Sequence, residues 1–337
     1  MARKATADDV ARAAGVSAST VDRVLNNRGG VSEIKERQVF AAARRLKLDR
    51  ALDPRDARTL RVAAFLQPPA NPFHAALTTA VQAANRGPDP FNIQTRIFHV
   101  EPSRPQQTAQ RVQAAGAQHD AVIICVAHDD ALARALEVVT DMGKPVITLA
   151  TDIRCRGAIY VGPDNLRSGR LAGELMGRFL GAQGGEIILI AGLLSMIGQQ
   201  ERRDGFQAVL GERFPQCRVA EVFESHEDSA RAGDLVYRAL RRNPLIRGIY
   251  NESAGAGAVA DALQRLGHQG KVTFITHELT RKRRQLLQAG AIDAIIDQNP
   301  SAEIDTAIRA IAAFYRRTAA DTGSTVTPVN VFLRENC

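Results

Sequence analysis

Apolar positions along the chain change their period once, near residue 60. Before that point they recur three and four residues apart in short runs. Val10, Ala11 and Ala14 form the first run, Val21, Val24 and Leu25 the second, and Ile34, Val39, Ala42 and Leu46 the third. Such spacing predicts three short amphipathic helices. The punctuation agrees. Thr6 is an N-cap ahead of Asp8 and Asp9, and Gly15 ends the first helix. Ser17 and Ser32 cap the second and third, and Asn26 to Gly30 break the chain between them. Two short helices joined by a tight glycine turn, with a third behind them, describe a helix-turn-helix unit.

After Thr59 the pattern becomes continuous apolar runs alternating with helical periodicity. Strands are predicted over 60–66, 93–100, 121–126, 145–150, 186–191, 218–224, 247–251, 271–276 and 292–296. Helices are predicted over 73–84, 105–117, 130–142, 165–181, 200–213, 228–242, 255–266 and 280–289. Regular alternation of this kind predicts parallel sheets flanked by helices. About ten strands suit two sheets of five better than one sheet. In open parallel sheets a ligand binds beyond the carboxyl ends of the strands, so two facing sheets predict a cleft that closes on a small molecule.

Charge adds a partner to this picture. The formal net charge is +8. Met1 to Arg61 hold 14 Lys+Arg against 8 Asp+Glu, a net of +6, so most of the excess sits on the helical module. A segregated basic module suggests a polyanion, although a solvated basic tail gives the same count. The remaining composition excludes more than it suggests. No apolar run is long enough for a transmembrane helix, so no membrane partner is expected. Met1 to Thr6 is basic without an apolar stretch behind it, unlike a secretory signal. Cys125, Cys155, Cys217 and Cys337 are scattered without metal-ligand spacing. No metal, no cofactor and reduced thiols in a cytoplasm are therefore expected.

In a helix-turn-helix unit the second helix enters the major groove of double-stranded DNA. Ala18, Ser19, Asp22 and Arg23 then face base edges, and Arg23 suits a bidentate contact to guanine. Ser17, Thr20, Asn26 and Arg28 suit phosphate contacts. A three-helix bundle docking on protein is the bland alternative. The residues themselves go further. The run from Asp9 to Asn26, DVARAAGVSASTVDRVLN, with Gly-Val-Ser ending at Ser32 and Ala-Ala-Arg-Arg-Leu ending at Leu46, resembles the head of the lactose-repressor (LacI-type) family of bacterial regulators. The resemblance implies an operator-binding headpiece over 1–49, a hinge over 50–59 and a homodimer. Two departures stand out. Asp22 replaces a small hydroxyl residue, and the run from Leu46 to Arg58, LKLDRALDPRDAR, lacks the usual tyrosine-proline-asparagine sequence. Leu52 is the nearest counterpart of the leucine that wedges into the minor groove, and Arg50, Arg55 and Arg58 are offered for phosphates instead.

Residues 60–337 are similar to the ribose-type branch of periplasmic sugar-binding proteins. The resemblance rests on Ala70-Asn71-Pro72-Phe73-His74, on the run from Gln200 to Phe206 (QERRDGF), on Ile249-Tyr250-Asn251 and on Asp297-Gln298-Asn299-Pro300. It implies a two-subdomain fold, one subdomain of 60–162 with 292–322 and the other of 163–291 with 323–337. It also implies a cleft lined by Asn71, Phe73, His74, Gln200, Arg202, Asn251, Glu278 and Gln298, with Thr151 or Asp152 where the branch carries its own aspartate. These donors and acceptors suit hydroxyls of a sugar or polyol effector, and Phe73 suits a sugar face. His277 is offered either as a donor or as a structural histidine. Arg202 and Arg203, with Arg167 and Arg170 nearby, leave a phosphorylated metabolite open. The remaining competitor is an enzyme: Gly255-Ala256-Gly257 imitates a dinucleotide fingerprint with Glu278 about 20 residues on. No nucleophile elbow, zinc-protease motif or phosphate-binding loop accompanies it, so no catalysis is expected.

Overall fold

The structure, a computed structural model, describes residues 5–25, 30–46, 48, 58–87, 89–318 and 325–337. The headpiece is three helices, α1 (Ala7–Ala14), α2 (Ala18–Leu25) and α3 (Glu33–Arg45). Thr6 and Asp9 cap α1 reciprocally, and Gly15 ends it in the left-handed region at φ 65°. Val10, Val21 and Val39 are fully buried together, closed over by Ala11, Val24, Ala42 and Ala43. Ile34 departs from the predicted stripe. It is 71% exposed, on the first turn of α3.

The body begins at β1 (Leu60–Leu66) and continues through α4 (Pro72–Arg86), β2 (Ile93–His99), α5 (Pro105–Gln118), β3 (Ala121–Cys125), α6 (Asp130–Asp141), β4 (Val146–Leu149) and β5 (Ile159–Val161). These five strands form one parallel sheet in the order β2-β1-β3-β4-β5. The chain then crosses to a second layer: α7 (Asn165–Leu180), β6 (Gly185–Ala191), α8 (Ile197–Arg213), β7 (Cys217–Glu224), α9 (Ser229–Arg242), β8 (Ile246–Asn251), α10 (Ala256–Arg265), β9 (Thr273–His277), α11 (Arg281–Gln288) and β10 (Ala294–Asp297). After β10 it returns to the first layer as α12 (Pro300–Phe314), then ends in β11 (Asn330–Phe332). The second sheet is ordered β11-β10-β9-β8-β6-β7, parallel throughout except for antiparallel β11. Apolar clusters fill both faces of each sheet, which is why the strands read as continuous apolar runs. Among the described residues no helix is long and apolar enough to cross a membrane.

Three expectations change. The sheets hold five and six described strands, because β11 adds an edge where five were expected. The return to the first layer falls at Gln298–Asn299 and not at 292, since β10 hydrogen-bonds to β9 and its side chains belong to the second core. Arg58 forms an ion pair with Asp120 of the body, so it is tied down where a phosphate contact was expected. Leu52, Arg50 and Arg55 lie outside the described residues.

The chain therefore passes between the subdomains near 162–164, at 298–299 and between the described residues 318 and 325, three connections in all. The first and third run side by side: Gly162 N donates to Thr325 O and Thr327 N donates to Gly162 O. Asn299 sits in the left-handed region at φ 56°, where its side chain caps α12. Few, hydrogen-bonded connections of this kind suit a hinge.

Helix α7 carries Gly169, Gly173 and Gly177 at four-residue spacing, hence on one face. That face meets α8 with almost no gap: a Cβ on Gly169 would lie 1.9 Å from the Arg202 carbonyl oxygen, and one on Gly173 2.8 Å from that of Phe206. Gly169→Ala must push the two backbones apart and is expected to cost about 2–3 kcal/mol. Gly211→Ala meets nothing within 4 Å and is expected to be neutral or to stabilise by roughly 0.5–1 kcal/mol. Thermal unfolding of both variants checks this; equal melting points would remove the close-crossing argument.

Candidate ligand cleft and nucleic-acid interface

The order 2-1-3-4-5 places a switch point between β1 and β3 in the first sheet, and its counterpart lies between β6 and β8 in the second. Loops part at a switch point and leave a crevice beyond the strand ends. Here the two crevices face each other and enclose a cavity of about 40 Å³, small because side chains of the two subdomains meet across it. The first subdomain contributes Asn71, Phe73 and His74 after β1, Cys125 at the end of β3, and Ala150 and Thr151 after β4. The second contributes Met196, Gly198, Gln199, Arg202, Glu227, Glu252, Ser253, Ala254, Glu278 and Arg283, with Gln298 from the crossing.

Several of these side chains already bridge the cleft. Asn71 accepts from Phe73 N through Oδ1, capping α4, and donates through Nδ2 to Glu227 Oε2 at 3.0 Å. One side chain thus both caps the helix and faces the cleft. Thr151 Oγ1 accepts from Gly198 N at 3.0 Å, and His128 N donates to Ser195 O at 3.1 Å. Beneath them a polar network crosses the hinge. Asn165 Nδ2 donates to Ala150 O, Arg202 Nε donates to Asn165 Oδ1 at 2.8 Å, and Arg202 Nη2 donates to Gln298 Oε1 at 2.8 Å. Gln298 Nε2 donates to Glu278 Oε1 at 2.9 Å, and Glu278 Oε2 pairs with Arg283 at 2.8 Å. Arg283 then donates to the carbonyls of His277 and Ser253.

The expected ligand residues divide on this geometry. Asn71, Phe73, His74, Thr151, Arg202, Glu278 and Gln298 all line the cavity. Asp152, Gln200 and Asn251 do not. Asp152 accepts from the Thr148 hydroxyl beneath β4. Gln200 turns away to the Leu194 carbonyl on the outer side of α8. Asn251 is fully buried, its Oδ1 accepting from Ser253 N and its Nδ2 donating to Ser253 O, so it shapes the loop that presents Glu252 and Ser253. His277 is structural: it is buried, bonded to Tyr250 Oη at 2.7 Å, and burial holds its imidazole neutral. His74 is also kept neutral, its pKa pushed down to about 3 first by burial and then by His99. Its Nδ1 accepts from Gln67 N, which leaves Nε2 as the protonated nitrogen.

Sequence reasoning missed Gln199, Glu227, Glu252, Ser253 and Arg283. Position after a strand end was the available signal for Glu227, Glu252 and Ser253. Arg283 lies six residues beyond β9, one helical turn into α11, where only the fold shows it reaching back. The glycines of the dinucleotide-like motif are explained by packing. Gly255 begins α10 at φ 97° with Ala232 Cβ 2.7 Å from where its own Cβ would be, and Gly257 packs under Lys282.

Glu303, on α12 beneath the cavity, is fully buried, with neither carboxyl oxygen bonded among the described residues. Burial raises its pKa well above the ordinary carboxyl value; Arg202 opposes the shift, while Glu278 and Asp297 add to it. The folded protein thus holds this proton at pH values where the unfolded chain has lost it. Stability therefore falls as pH rises above the unfolded value of 4.5. Glu303→Gln is expected to stabilise the body by on the order of 1–2 kcal/mol at pH 8, with the gain fading toward pH 4.5. Urea unfolding at the two pH values measures it, and a pH-independent difference would contradict the ionisation argument.

On the headpiece, Ser17, Ala18, Ser19, Asp22 and Arg23 are exposed along α2, while Thr20 is half-buried. Ser17 Oγ accepts from Thr20 N and is bonded to the Ser19 and Thr20 hydroxyls, so one side chain organises the first turn. The Arg23 guanidinium lies over Gly30, where a Cβ would sit 3.1 Å from Nη2. Asn26 and Arg28 lie outside the described residues.

Comparison with known proteins matches each of these two parts to a family of its own. Residues 6–48 match the family model for bacterial regulatory proteins of the lacI family, and residues 62–316 match a periplasmic binding protein domain. Over 273 residues the chain is 32% identical to the maltose regulon regulatory protein MalI of Escherichia coli, covering 76% of this chain and 75% of that protein. The chain belongs to the lacI family of bacterial regulatory proteins. The body of this regulator is also 29% identical over 144 residues to the D-allose-binding periplasmic protein of E. coli, 42% of this chain and 46% of that protein. In fold it is similar to GanP, a glucose-galactose binding protein of Geobacillus stearothermophilus, at TM-score 0.73 and 21% identity over 83% of this chain and 99% of that one.

Proposed function

We propose that this regulator is a repressor whose hold on an operator is set by a small polyhydroxylated ligand in the inter-sheet cavity. The observation that carries the reading is the bridged cleft itself. Polar side chains of both subdomains meet across it and connect through Arg202 to the hinge, so a ligand seated there acts on both subdomains at once. Two copies would place two α2 helices on the half-sites of an approximately palindromic operator. A change in subdomain orientation then alters how well both heads fit, a coupling of about 1–3 kcal/mol in most such systems. The names of the relatives, a maltose regulon regulator and sugar-binding proteins, support a carbohydrate-like ligand.

The phosphorylated-metabolite reading finds little support. Arg167 pairs with Asp164, Arg170 with Glu212 and Arg203 with Asp204, while Glu227, Glu252 and Glu278 line the cavity. Genomic footprinting, followed by thermal unfolding with sugars, polyols and sugar phosphates, tests the proposal. A true ligand at 100 times its Kd stabilises by about 2.7 kcal/mol and shifts operator affinity in the same concentration range. A protein that protects no DNA, or a ligand that stabilises without moving operator affinity, refutes it.

A further inference from the structure

The cavity holds more acid than its own cations neutralise. Of its three carboxyl side chains, Glu278 is paired with Arg283. Arg202 spends its bonds on the uncharged Asn165 and Gln298. Glu227 accepts from three uncharged donors, Asn71 Nδ2, Gln199 Nε2 and Ala254 N. Glu252 is 3% exposed and lines the cavity, and among the described residues neither of its oxygens has a hydrogen-bond partner. Leaving such a group dry is costly, so the site is built around something that completes it.

We propose that the ligand is a polyol or sugar carrying a protonated amine, with the ammonium seated at Glu252 beside Glu227 and the hydroxyls on the remaining donors. This rests on the polyhydroxyl reading above and adds the charge. A hydroxyl can satisfy the hydrogen-bonding capacity of Glu252, but only a cation also offsets the desolvation of a carboxylate. An ammonium has three donors to divide between the two carboxyls and a neighbouring acceptor. The protein's own groups favour the uncharged form of Glu252. Burial raises the Glu252 carboxyl well above its ordinary range; Arg202 and Arg203 oppose this, and Glu227 and Asp204 reinforce it. When the ammonium enters, Glu252 ionises and its proton passes to solvent, so binding releases a proton that a neutral polyol would not displace.

The test titrates the full-length wild-type protein calorimetrically with matched pairs: glucosamine and glucose, galactosamine and galactose, an aminocyclitol and myo-inositol. Each amine is also run N-acetylated, and in buffers of different ionisation enthalpy. The expected result is at least one amine that binds tenfold or more above its neutral and acetylated partners, with heat that changes with buffer in the sense of proton release. In Glu252→Gln the amine-to-neutral ratio should fall to near one, measured on protein that shows a cooperative melt. Neutral members binding as well as the amines would overturn the proposal and leave the polyhydroxyl reading standing. Amine preference that survives in Glu252→Gln would overturn the assignment to Glu252. Silence from every pair would overturn both readings together.

Discussion

Arg202→Ala is expected to abolish ligand response and to lower the stability of the body by about 3–5 kcal/mol. Arg202 is 5% exposed on α8, with its carbonyl oxygen pressed against Gly169 and its guanidinium spanning from Asn165 to Gln298. Asn165 is the first residue after one crossing, and Gln298 lies on another. One planar fork therefore ties two of the three connections to the cavity wall. Alanine leaves two buried acceptors bare and removes the positive charge that opposes the upward pKa shifts of Glu252 and Glu303, each loss being of the kind that costs one to a few kcal/mol. Arg202→Lys retains the charge but not the fork. It is expected to recover part of the stability and little of the ligand response. Urea unfolding with ligand titration of both variants separates the two roles. A lysine variant with full ligand response would reduce Arg202 to a counter-charge.

The architecture was legible because its signals are local and repeated. Buried strands read as unbroken apolar runs, and α1 to α3 announced themselves through Thr6, Gly15, Ser17 and Ser32. Helix α12 escaped because Asn299-Pro300 reads as a turn, although it is an N-cap followed by proline at the first position. Strand β5 was too short to show a period, and β11 lay beyond the last predicted strand. The cavity was half legible. Residues in the loops that follow strand ends, such as Asn71, Thr151, Glu278 and Gln298, lie where the family resemblance and the topology point together. Asn251 failed by one position: the strand ends with its side chain turned into the loop, and the residue that reaches the cavity is Glu252. No spacing rule gives that, because it depends on how the 251–255 turn folds over Asn251 Oδ1. Gln199 and Gln200 differ in the same way, one helical step of about 100° deciding which of them faces the cleft.

Arg23→Ala is expected to lower discrimination between operator and random DNA by about 1–3 kcal/mol, a factor of roughly 5 to 150, while ligand binding to the body stays as it was. Arg23 is exposed on the same face of α2 as Ser19 and Asp22, and buried Val21 and Val24 fix the rotation of the helix that presents it. Its guanidinium rests on Gly30, which occupies the left-handed region at φ 75°. A side chain at position 30 would crowd the guanidinium, and glycine leaves it room. Loss of a base contact differs from loss of a phosphate contact in its salt dependence. Removing a phosphate contact weakens all DNA alike and lowers the salt slope by about one, whereas removing a base contact leaves the binding to random DNA nearly unchanged. Titrations of Arg23→Ala on operator and random duplexes at two salt concentrations separate the cases. Equal weakening on both duplexes, with a shallower salt slope, would make Arg23 a backbone anchor and move the reading of sequence to Ser19 and Asp22.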